Sequence, residues 1–268
     1  MRFLSLFIIL STLSFGGYWV QNNHPELKYR VLEMLNMGTI QALEARFTSK
    51  QIIDREHIAS IQSNEPYIKF HPYLLIEVKF INSSLKTEEG IILWDLVDGE
   101  MVIDTKSWNK THGFADCIAM NVDLCEFKIL RAIMHNRGRA NQQVLMHSLN
   151  VESKLLGLWI ERACKKHLIV QRGNDYYIHL HNPCIDVKPS THLATSLVTK
   201  SYKYNERTPC HYSPKQIAKI AKIAFGTGFS IRKIQKTFLP ICCITIQNSD
   251  GSVQTTQWNS LTGKRIHG

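Results

Sequence analysis

The sequence predicts an α+β fold in which two similar helix–β-hairpin units flank a different, helix-rich middle, behind an N-terminal signal or anchor segment. Three observations predict it. A short pattern recurs near residues 48–104 and 213–267, residues 123–181 carry three helical periodicities followed by two strand-like runs, and residues 1–15 open the chain with an apolar run. The expected division is a leader at 1–20, a first unit at 21–115, a middle at 116–183, a linker at 184–211 and a second unit at 212–268. A chain of 268 residues, 44% hydrophobic and 20% charged, is long and apolar enough for two or three small cores.

The leader reads MRFLSLFIILSTLSF. Arg2 follows the amino terminus, residues 3–13 are apolar, and Ser14 and Gly16 are small residues suited to a cleavage site before Gly17. This is the layout of a secretory signal peptide. Extended to Val20 the stretch reaches 18 residues, the lower limit for a spanning helix, so an uncleaved membrane anchor is the alternative. Both place the chain in the periplasm or envelope or at a membrane. A buried core helix of a cytoplasmic protein is the third reading, disfavoured because the run has almost no polar face.

Each unit opens on a helix start. Thr48-Ser49-Lys50-Gln51-Ile52 parallels Ser213-Pro214-Lys215-Gln216-Ile217, with Thr48 and Ser213 as N-caps and Pro214 at the first helical position. A helix at 24–47, with Leu27, Val31, Leu35 and Ile40 near helical spacing, is expected ahead of the first unit. Downstream, His71-Pro72-Tyr73-Leu74-Leu75 matches Leu239-Pro240-Ile241-Cys242-Cys243. Trp94-Asp95 with Gly99 matches Trp258-Asn259 with Gly263, and each glycine is expected to supply a positive φ in a turn. The match puts Cys242 and Cys243 at the positions of Leu74 and Leu75. They are then core residues on opposite strand faces, not one site.

In the middle, residues 123–135 form an amphipathic helix with Leu124, Phe127, Leu130 and Met134 on one face, ended near Gly138. A second helix is expected at 140–147 and a third at 151–166, followed by strands at 168–171 and 176–181 around Arg172-Gly173-Asn174-Asp175. Three helices and a β-hairpin over 116–183 resemble the winged-helix family, a helix-turn-helix variant. In that family the third helix often enters the DNA major groove and the wing touches the backbone. The resemblance implies nucleic-acid contacts at Lys154, Arg162, Lys165, Lys166 and Arg172. Against this, the third helix is dominated by Leu155, Leu156, Leu158, Trp159 and Ile160, which leaves few side chains for base edges. Winged helices also dock proteins, and export would remove the chain from the chromosome.

Charge is uneven. Residues 21–118 hold 10 Lys/Arg against 14 Asp/Glu, whereas residues 200–268 hold 11 against 2, so an acidic partner is expected for the C-terminal unit. Lys215, Lys219 and Lys222 share one helix face opposite Ile217, Ile220, Ala221 and Ala224, and Arg232, Lys233 and Lys236 follow. Such a stripe suits another protein, an anionic membrane or a phosphate backbone, or is a solvated helix face.

The sequence points to no catalysis, no cofactor and no metal. Seven cysteines without a CxxC read as small buried hydrophobes. His179 and His181 on a strand, with Cys184, Cys210 and His211, lack a standard zinc spacing, and Cys164 with His167 lacks an orienting third group. Glu88, Glu89, Asp95 and Asp98 read as exposed turn and strand-end residues. In overall texture the chain also resembles uncharacterised envelope proteins of chlamydial-type bacteria, a likeness that carries over no residue. Two functions follow as expectations. One is a non-enzymatic exported or membrane-anchored interaction protein; the other is a nucleic-acid-binding protein using the middle domain and the basic C-terminal unit.

Overall fold

A computed structural model describes residues 39–55, 65–82, 84–201, 206–247 and 250–266; the leader and most of the expected 24–47 helix lie outside them. The fold is α+β. Its larger sheet has nine strands: β1 (Thr39–Leu43), β2 (Tyr67–Ile81), β3 (Thr87–Asp95), β4 (Met101–Asp104), β5 (Asn109–Lys110), β9 (Leu197–Ser201), β10 (Ser230–Gln247), β11 (Val253–Asn259) and β12 (Arg265–Ile266). The order β12-β11-β10-β2-β3-β4-β5 puts the two longest strands side by side and antiparallel, with His71 opposite Leu239. Alternate residues of β2 then face opposite cores. Leu74, Ile76 and Val78 join one cluster, while Tyr73 and Leu75 join another with Leu93, Val102, Leu239, Ile241 and Cys243.

One hydrogen-bond pattern occurs twice. Leu74 pairs with Trp94 and Trp94 with Met101, while Cys242 pairs with Trp258 and Trp258 with Arg265. Asp95 Oδ1 accepts from the amides of Val97 and Asp98, and Asn259 Oδ1 accepts from those of Leu261 and Thr262. An Asx side chain closing a turn onto a positive-φ glycine explains why the pattern needs Asp or Asn here and Gly four residues on. Helices α1 (Ser49–Arg55) and α6 (Pro214–Phe225) start alike, with Thr48 and Gln51 or Ser213 and Gln216 bonding each other's backbone amides. Each start is tied to the other turn: the Arg46 and Phe47 amides donate to Ser260 O, and the His211 and Tyr212 amides donate to Leu96 O. Ile52 of α1 accordingly packs with Cys242, Ile244 and Trp258, and Ile217 of α6 lies in the core that holds Leu74, Ile76 and Trp94.

Between β5 and β9 come α2 (Phe114–Ala119), α3 (Leu124–His135), β6 (Arg139–Asn141), α4 (Gln142–Leu149), α5 (Ser153–Lys165), β7 (Ile169–Arg172) and β8 (Asp175–Ile178). Asp123 caps α3 with Glu126 in a reciprocal box. The strand β6, not anticipated from the sequence, pairs with β8 to give a three-stranded sheet of order β6-β8-β7. This segment shares its core with the large sheet. One cluster runs from Leu74 and Trp94 through Phe114 and Phe127 to Leu156 and Ile160. The rings of Trp94 and Phe114 stand 4.8 Å apart, and those of Phe114 and Phe127 stack at 6.2 Å.

One expectation is corrected. Residues 39–43, placed in the 24–47 helix, form strand β1, because β9 and β10 supply hydrogen bonds that local periodicity does not reveal. The described residues of 184–211, the expected linker, run mostly without regular structure but lie against the large sheet. Thr191 is buried, donating its hydroxyl to Val102 O and accepting from Leu93 N, and β9 pairs along all of β1. Ile185 is buried as well.

Candidate functional site

A cluster of ionisable groups gathers on the first turn around a buried carboxylate, Asp95, expected from the sequence to be a solvated turn residue. Asp95 is 1% exposed. His71 Nε2 lies 3.0 and 3.1 Å from its two oxygens, and Lys110 donates to Oδ2 at 2.6 Å and to Asp98 at 2.6 Å. The Lys110 amine also stands 5.5 Å from the centre of the Tyr73 ring, which meets Trp108 edge-on at 5.7 Å. Burial opposes ionisation of Asp95, yet the His71 hydrogen bond and the Lys110 charge hold its carboxyl well below the usual carboxylate range. Burial opposes the Lys110 charge too, but Asp95 and Asp98 raise its pKa. With the two turn amides added, both Asp95 oxygens are engaged, so the group is a charged clasp and offers a substrate no open lone pair. Glu100 is also buried; it accepts from Thr111 Oγ1 and from the amides of Gly113 and Ala115, pinning the turn to the start of α2.

The sequence carried a signal for this. Asp95 and Asn259 hold equivalent turn positions, but only the first has His71 and Lys110; the residue matching His71 is Leu239. A charged Asx at a position its counterpart fills with an amide marks a place where charge has a partner.

The basic residues of the C-terminal unit divide. Lys215 and Lys222 are exposed on the outer face of α6, opposite the buried Ile217, Ile220, Ala221 and Ala224, as its periodicity predicts. Lys219 donates to Asn121 Oδ1 at 2.6 Å. Arg232 and Lys233 are not on a helix: they lie in β10 and pair with Glu89 at 2.7 Å and Glu77 at 3.4 Å. Two cations of the basic stretch thus meet carboxylates of the acidic first half of the same chain. Lys236 sits opposite Leu74 in the sheet, its amine 5.7 Å from the centre of the Phe238 ring, and burial pushes its pKa down to about 8. Folding therefore disfavours its charged form. Stability should rise as pH climbs from about 8 towards the unfolded lysine value of about 10.4. Lys236→Met is expected to abolish that rise, measured as urea midpoints across the window.

In the middle segment, four of the five cations read as nucleic-acid contacts are engaged within the chain. Arg162 pairs with Asp123 at 2.9 Å, Lys165 with Glu161 at 2.7 Å and Lys166 with the buried Glu126 at 2.7 Å, and the Arg172 guanidinium lies over Tyr177. Lys154 is exposed. The outer face of α5 instead presents Leu155 and Leu158, 46% and 54% exposed. No protein-family profile, curated protein or solved structure matches the chain.

Other arrangements considered in the sequence do not assemble. The strand predicted to carry His179 and His181 ends at Ile178. Among the described residues no group of three His, Cys, Asp or Glu side chains is placed to hold a metal ion. All seven cysteines are free; Cys242 and Cys243 are buried on opposite strand faces, whereas Cys184 is exposed. Burial pushes the thiols of Cys117, Cys210 and Cys242 to about 12, about 11 and about 11, which makes them poor nucleophiles. Cys164, beside His167, is shifted up by burial as well. A cavity of about 250 Å³ lies between α2 and α6, lined by Cys117, Ile118, Val122, Ile220 and Ile223, at the small end for an organic ligand. Among the described residues no helix is long and apolar enough to cross a membrane.

Proposed function

We propose that the protein is a non-enzymatic interaction protein, exported or membrane-anchored through residues 1–20, in which a winged-helix-like module docks another protein. In this reading the module, 116–183, stands between two copies of a helix–hairpin unit, 21–115 and 212–268. The doubled hydrogen-bond pattern around Trp94 and Trp258 supports the two copies. The order helix, short strand, two helices and hairpin, with β6 paired to β8, supports the module. The apolar run at residues 3–13 supports delivery to the envelope.

The observation that carries the docking reading is the outer face of α5. A DNA-reading helix offers free cations and polar side chains to phosphates and base edges. Here Arg162 and Lys166 are each held by a carboxylate of another element, and Leu155 and Leu158 occupy the exposed surface. Fluorescence anisotropy with a labelled DNA duplex tests it. No saturable binding is expected at physiological salt. Tight binding that falls steeply with salt and is lost in Lys154→Ala/Arg172→Ala would overturn the reading in favour of nucleic acid.

A further inference from the structure

We propose that the outer face of α5 pairs with the same face of a second copy of this chain, antiparallel, across a two-fold axis between Gly157 and Leu158. The proposal rests on the docking reading above and names its partner.

Three features of α5 meet on one stripe. Leu158 is 54% exposed, near the middle of a thirteen-residue helix. Beside it stands Gly157. Glycine is a poor residue for a helix interior, and beyond its chain neighbours and the helix's own backbone no described atom lies within 4 Å of the place its Cβ would take, so packing against the rest of the chain gives no reason for it. Lys154 and Glu161 lie one turn to either side of this pair, on the side of the helix they share with Leu158.

These positions complement themselves. With the axis between 157 and 158, Lys154 of one copy faces Glu161 of the other, twice, and Leu158 of each copy enters the space left open at the other's Gly157. Each contact occurs with its mirror, as an isologous interface requires. A parallel arrangement would instead set lysine against lysine and glutamate against glutamate. Glu161 is bonded within its own helix to Lys165, but that pair is exposed at both ends, 72% for Lys165 and 57% for Glu161. Exposed i,i+4 pairs hold weakly, so Glu161 is free to exchange partners. Leu155, 46% exposed on the same helix, extends the apolar surface beside Leu158.

Sedimentation velocity of the full-length chain over a concentration series tests the proposal. The wild type is expected to show a monomer–dimer equilibrium. Lys154→Glu alone and Glu161→Lys alone should each weaken it at least tenfold, and the double reversal should restore it. Gly157→Ala separates interface from fold: it should raise the melting temperature, by removing a helix-interior glycine, and yet weaken the dimer. A chain that stays monomeric throughout overturns the proposal. So does a dimer unmoved by the single reversals, or a double reversal no better than either single one. A DNA duplex added to the same runs distinguishes the two failures, since a co-sedimenting, salt-sensitive duplex overturns the docking reading itself. A monomer whose photoreactive residue at position 158 crosslinks to a different protein in cells keeps that reading and rules out the second copy.

Discussion

Asp95→Ala is expected to lower the free energy of unfolding by about 3 kcal/mol, because it leaves Lys110 and His71 without their buried counter-charge and frees two turn amides. Asp95→Asn should cost less. Asn259 shows that an amide oxygen closes this turn when no charge surrounds it. The two effects separate with pH. The folded state holds the Asp95 pKa below its unfolded value of about 3.9. Its contribution is therefore complete above that value and is lost as pH falls towards the folded pKa. Urea unfolding at stepped pH should show the gap between wild type and Asp95→Asn closing below about pH 4. A gap that is constant down to pH 2 would mean that the charge on Asp95 contributes nothing.

Gly99→Val should destabilise by a similar amount, about 3 kcal/mol, as the sum of a left-handed backbone and a clash. Gly99 has φ +79°, and a Cβ there would lie 2.8 Å from the Tyr212 ring. Gly138 provides the control: its φ is +81°, but a Cβ would meet nothing within 4 Å, so Gly138→Ala should cost only about 1 kcal/mol. Gly263→Ala tests the other turn, where φ is +64° and a Cβ would stand 3.2 Å from the Phe47 ring. Denaturant midpoints of the three variants separate backbone strain from the ring contacts. If Gly99→Val were no worse than Gly138→Ala, the tie between Tyr212 and the first turn would carry no weight.

Local chemistry wrote much of this fold plainly. The N-caps Thr48 and Ser213, the turn glycines and the opposed faces of Cys242 and Cys243 all follow from side-chain period and turn preference. What stayed hidden depends on partners distant in the chain. The Thr39–Leu43 segment is a strand because β9, more than 150 residues away, lies beside it. Arg232 and Lys233 looked like a basic patch because nothing local says that β10 begins at Ser230 and brings them to Glu89 and Glu77. Asp95 was misread for the same reason: a turn residue is ordinarily wet, and only the chain passing over it, with Lys110, makes it dry. On α5 the excess of leucines was legible, but which of them would be left outside was not. That was settled by the helix's placement, which buries Leu156 and Ile160 and leaves Leu155 and Leu158 exposed.

The bridge between His112 and Cys184, which exchange backbone hydrogen bonds, brings together the two ends of the segment that runs from α2 to β8. That has a kinetic consequence. Tyr73 in β2 and its partner Thr237 in β10 are far apart along the chain, and aligning them means closing a long loop. Joining residues 112 and 184 first takes the segment between them out of that loop and shortens the search. The contacts within the segment are the more local ones, so it is expected to form early and to act as a clamp at its own base. The meeting of the two long strands is then expected to be the late, slow event. Variants that loosen the clamp should slow refolding more than they speed unfolding.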